Sequence, residues 1–115
     1  MAGMLESMSG YLQVTTVADS ADTAASLARS AVAARLAASA QVVGPVTSVF
    51  WHLNELGESQ EWKVEFKTTL ATYEALQRHL LSEHPWENPE ITAVEITKGT
   101  DRYFDWLDRT IGHQG

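Results

Sequence analysis

The chain has 115 residues, 44% of them hydrophobic and four of them tryptophan, which is enough for one domain around one core. Fifteen acidic against eight basic residues give a formal charge of -7, a sign that repels phosphate backbones and so disfavours a nucleic-acid partner. There is no cysteine, which removes disulfides, thiolate metal ligands and cysteine nucleophiles and fits a reducing, cytoplasmic setting.

Residues 1–10, MAGMLESMSG, carry Glu6 and no apolar run. They read as a flexible leader, neither signal peptide nor membrane span. Residues 11–112 read as a single domain and 113–115 as a tail. YLQVTTV, from Tyr11, is rich in β-branched and aromatic residues and predicts a strand. Asp19 or Ser20 can cap a helix reaching about Ala38, with Ala25, Ala28, Val32 and Leu36 as its apolar stripe and Leu27 and Ala31 beside it.

AQVVGPVTSVFWHLNEL predicts a long strand interrupted at Gly44-Pro45, where proline implies an edge or a bulge. NELGES, Asn54 to Ser59, reads as a hairpin turn. The returning EWKVEFKTT alternates, with Trp62, Val64 and Phe66 on one side and Glu61, Lys63, Glu65 and Lys67 on the other. Thr69 or Thr72 can cap a second helix that runs to about Glu83 and is stopped by Pro85. ITAVEIT predicts a fourth strand ended by Gly99. Thr100 or Asp101 then caps a short helix, RYFDWLDRTI, that stops at Gly112.

The resulting order is β-α-β-β-α-β plus a C-terminal helix, an α+β chain of the ferredoxin-like, split βαβ kind. Two halves echo each other, since Thr15-Thr16 and Thr68-Thr69 each close a strand before a helix. Both helices of the repeat are expected on one sheet face, leaving the other bare. A long hairpin bearing Trp51 and Leu53 adds exposed apolar surface, and self-association is the expected remedy.

The segments VTTVADSADTAASLA, RLAASAQVVGPVTSVFW, EWKVEFKTT, HPWENPEI and YFDWL, in this order, resemble the CutA family of divalent-cation tolerance proteins. The resemblance spans roughly residues 11 to 111. It implies a ferredoxin-like subunit in a compact homotrimer, and a link to copper and other divalent ions without a defined reaction. The family's metal proposal rests on a cysteine after the first strand and on the histidine and glutamate of the HP…PE motif. His84 and Glu90 match the latter pair. The cysteine is replaced within VTTVAD, the LAAC after the first helix is LAAS with Ser39, and His52 and Asn54 replace a tryptophan and a glycine.

HPWENPEI, His84 to Ile91, therefore carries two readings. As a site, His84, Glu90 and Glu87 offer imidazole and carboxylate to Cu(II) or another divalent ion, with Glu61, a neighbouring subunit or water completing the shell. As a connector, Pro85 and Pro89 stiffen the chain and Trp86 fills an apolar slot. His52 is expected at the surface or packed, and His79 on the exposed side of the second helix. No triad order, G-x-S-x-G or glycine-rich phosphate loop points to an enzyme. A trimeric sensor similar to the P-II signalling proteins is the alternative, with Lys98, Gly99 and Arg102 as its phosphate-binding material.

Overall fold

A computed structural model of the chain describes residues 9–112. Leader residues 1–8 and tail residues 113–115, with His113, lie outside the described residues. The elements are β1 (Tyr11–Ala18), α1 (Ala21–Ala33), β2 (Ser39–His52), β3 (Glu55–Thr69), α2 (Tyr73–Glu83), β4 (Ile91–Glu95) and α3 (Asp101–Ile111). The strands form one antiparallel sheet in the order β2-β3-β1-β4. This is the expected ferredoxin-like arrangement with an added C-terminal helix and a long β2-β3 hairpin.

Alternation along the central strands defines the two faces. Leu12, Val14, Thr16 and Ala18 of β1 are buried on the helix side, with Val64, Phe66 and Thr68 of β3 beside them. Trp62 follows the same phase, partly buried at the edge of this core. Helix α1 closes the face with Ala24, Leu27 and Ala31, and α2 with Leu76 and Leu80. The buried row of α1 is thus Ala24, Leu27 and Ala31, while Ala28, Val32 and Leu36 pack at its margin.

Helix α1 also stops earlier than the sequence implies. Arg35 adopts a left-handed φ of 60°, its N–H donates to the Val32 carbonyl at 3.0 Å, and the Leu36 N–H donates to the Ala31 carbonyl at 3.0 Å. This is a Schellman stop with arginine where glycine is usual. The Arg35 guanidinium then reaches the Thr110 carbonyl at 2.5 Å, joining this stop to the last turn of α3. Ser20 and Thr100 cap α1 and α3 as expected, accepting from the Thr23 and Tyr103 N–H groups. Thr72 stands at the N-cap of α2 without a side-chain cap bond, and its own N–H donates to the Thr69 hydroxyl.

The opposite sheet face is only partly bare. Tyr11 points there, one residue out of phase with Leu12, and stacks flat on Phe104 of α3 with ring centroids 4.0 Å apart. Its hydroxyl donates to Asp108 at 2.7 Å, and Leu107, Ile111 and Ala38 form a small second core around it. Val43 and Val94 remain exposed.

Beyond β1, the hairpin continues as a two-stranded arm. Its pairing runs from Val46↔Glu61 to His52↔Glu55, whereas β1 ends opposite Trp62. These seven residue pairs at ~3.4 Å each carry the arm about 24 Å past the sheet. The turn is the two residues Leu53 and Asn54, with φ of 51° and 66°, tighter than the Asn54–Ser59 turn the sequence suggested. Gly44-Pro45, a cis peptide, sits at a register shift between Val43 and Val46 on an edge strand, as the proline implied. The extra residue there reverses the phase of β2.

Candidate functional site

The connector between α2 and β4 begins with His84, the C-cap of α2, whose N–H closes on the Leu80 carbonyl at 2.9 Å. Extended backbone at His84 (ψ 136°) and Pro85 after it prevent another helical turn. The His84 side chain turns inward and is 7% exposed. Its Nε2 lies 2.7 Å from the Val17 carbonyl oxygen, and its Nδ1 lies 3.0 Å from the Trp86 backbone nitrogen. At the far end, the buried Thr16 hydroxyl donates to the Glu90 carbonyl at 2.7 Å. Two adjacent residues of β1 therefore hold both ends of the connector.

Hydrogen-bond direction fixes the state of the imidazole. A carbonyl oxygen only accepts, so Nε2 carries the proton; a backbone N–H only donates, so Nδ1 is the acceptor. Both ring nitrogens are occupied by the protein. Glu87 and Glu90 are exposed. Among the described residues, no three His, Asp or Glu side chains converge into a group able to hold a metal ion. A ligating imidazole needs a free lone pair, and His84 has none in this arrangement. Within one chain, the residues therefore do not fit a resident metal centre.

Trp86 is half-buried, its ring tilted 49° against His84 at 5.0 Å, and it belongs to neither core cluster. It covers the histidine; it does not fill a deep slot. His79 is also half-buried, in contrast to its expected exposure, with Nε2 2.8 Å from the Ser30 hydroxyl of α1. Beside this pair lies a shallow cleft lined by Thr23, Ser26, Leu27, Ser30, Glu83 and Pro85. His52 is exposed next to the hairpin turn.

The phosphate-binding material also has a structural explanation. A Cβ on Gly99 would stand 2.8 Å from the Phe104 ring, so this glycine admits the aromatic side chain that stacks on Tyr11. Lys98 and Arg102 are exposed on either side.

Sequence reasoning missed the Val17 carbonyl as the partner of His84, and the hooks made by Thr16 and Thr68. The repeated Thr-Thr pairs were the available signal. Thr68 is buried and donates to the Leu36 carbonyl at 2.8 Å, so a polar residue on the core face at the same place in each half marks a bond that burial demands.

A ferredoxin-like sheet, a projecting apolar arm and a tethered HP…PE connector define a small α+β domain. Residues 12–110 match the family described as CutA1 divalent ion tolerance protein. The divalent-cation tolerance protein CutA of Thermus thermophilus is 34% identical over 93 residues, covering 81% of this chain and 90% of that protein. CutA of Escherichia coli is 33% identical over 89 residues, covering 77% and 80%. The solved structure of the Thermus thermophilus protein superposes with a TM-score of 0.85 at 32% identity, covering 89% of this chain and 99% of that one. The chain belongs to the CutA divalent-cation tolerance family. These matches lend no support to the P-II-like alternative. No helix among the described residues is long and apolar enough to cross a membrane.

Proposed function

We propose that this protein works as a homotrimer in divalent-cation tolerance, contacting ions such as copper(II) or zinc weakly and catalysing no reaction. The observation that carries the assembly is the arm, on which Trp51 is 73%, Leu53 84% and Leu56 66% exposed. A two-stranded ribbon is marginal in water by itself, and apolar side chains this exposed favour a partner. A further copy of the chain presents the same arm and the same partly bare sheet face, so symmetric self-association covers both.

The cation contact falls to exposed carboxylates, of which Glu90 on the connector matches the family's HP…PE motif and Glu87 stands beside it. Lone carboxylates on a surface hold divalent ions loosely, so the ions are met by the assembly without being stored in it. We assign the protein to the cytoplasm, consistent with its lack of cysteine, and fractionation of cells carrying the tagged chain checks this.

The functional test is complementation. Cells lacking their own CutA and sensitised to copper or zinc salts should regain growth with this chain. They should not regain it with Trp51→Glu combined with Leu56→Glu, which blocks assembly through the arm. Equal growth with and without the wild-type chain would contradict the proposal.

A further inference from the structure

We infer that His84 is a structural bridge held in its neutral Nε2–H form, and that divalent cations reach this protein without using it. The bridge joins three elements: the C-terminus of α2 through its own backbone, the end of β1 through the Val17 carbonyl, and the connector through the Trp86 N–H. At 7% exposure the ring lies under Trp86, which tilts over it at 5.0 Å. Neither nitrogen offers a lone pair outward. For His84 to ligate a metal, one of the two bonds must break, leaving either the Val17 carbonyl or the Trp86 amide without its partner.

The geometry also explains why histidine is required where no metal is held. Imidazole is the side chain that donates from one ring atom and accepts at another across a rigid plane. Glutamine can reproduce the Nε2 donor and asparagine the Nδ1 acceptor, so each retains one half of the bridge. Glu87 and Glu90 are exposed on the same connector, and their carboxylates meet a surface cation without the imidazole. The inference rests on the proposed surface cation contact only in the titration that follows; the tautomer stands apart from it.

The test uses the full-length protein labelled with nitrogen-15. Long-range nitrogen–proton correlation at neutral pH should show His84 as a single Nε2–H tautomer. Zinc added alone should leave the His84 ring signals in place, with exposed His52 as the internal comparison for an imidazole open to the ion. In calorimetry, His84→Gln and His84→Asn should bind zinc with the wild-type dissociation constant and melt at lower temperature than the wild type. An Nδ1–H tautomer, displacement of the His84 signals by zinc, or a loss of affinity of ~10-fold or more in both variants would overturn the inference. If zinc gives no heat with the wild type, the surface contact fails while a fixed Nε2–H tautomer still upholds the bridge.

Discussion

Thr16 and Thr68 perform the same task for opposite halves of the chain. Each is buried on the helix side of the sheet, and each donates its hydroxyl to a carbonyl in the loop that leaves the other half's helix: Thr16 to Glu90 after α2, Thr68 to Leu36 after α1. The two halves of the split βαβ unit are thereby laced together reciprocally. Replacing Thr16 by valine keeps the shape and removes the donor, so the Glu90 carbonyl loses its bond. We expect a loss of about 1–3 kcal/mol in denaturant unfolding, with faster hydrogen exchange from Trp86 to Ile91. Unchanged stability and exchange would show that water replaces the hydroxyl freely.

Gly44 and Trp62 form a contact that tolerates no added atom. A Cβ on Gly44 would stand 2.5 Å from Trp62 Cδ1 and 3.0 Å from the Glu61 carbonyl oxygen. Gly44→Ala should therefore displace the indole from the bulge and destabilise by about 1–3 kcal/mol, read from the shift in denaturation midpoint. Tryptophan fluorescence that shifts in the folded state would locate the displacement.

Much of the fold was legible because its signals are periodic. The alternation of Trp62, Val64 and Phe66 placed β3, and Pro85 and Gly112 placed two helix ends. The end of α1 was not legible, since its stop uses Arg35 in a left-handed conformation stabilised by contacts to α3, a tertiary cause with no local mark. The partial cover of the second sheet face was hidden for the same reason: Tyr11 meets Phe104 and Asp108 only after folding. At the connector, the residue types His84, Glu87 and Glu90 were visible, but not their directions. A main-chain acceptor such as the Val17 carbonyl has no sequence signature, and it is what turns His84 inward.

The Tyr11–Asp108 pair makes the C-terminal helix sensitive to alkali. The hydrogen bond to Asp108, then burial and the charges of Asp108 and Asp105, raise the Tyr11 phenol above its ordinary value of 10.0. The folded state thus holds this proton more tightly than the unfolded chain. Its stabilisation is complete below the ordinary value and is lost as pH rises through the raised one. Absorbance titration should show Tyr11 ionising above its ordinary value, and Tyr11→Phe should remove that step. A Tyr11 step at the ordinary value would contradict the pairing.

Trp86 covers a buried histidine without being fully buried, so its truncation should be milder than for a core aromatic. We expect Trp86→Ala to cost about 1–2 kcal/mol, against ~3–5 kcal/mol for a fully buried ring. Hydrogen exchange at the connector should rise at the same time, because the His84 bridge becomes open to water. A cost at the core value would place Trp86 in an interface with another copy.

The central claim is that the apolar arm is covered by self-association into a trimer, and the mass in solution tests it most directly. Sedimentation equilibrium at micromolar concentration should give three times the chain mass of 12.7 kDa, and Trp51→Glu with Leu56→Glu should lower it. A wild-type mass of 12.7 kDa, independent of concentration, would mean that Trp51, Leu53 and Leu56 remain in water and would contradict the account.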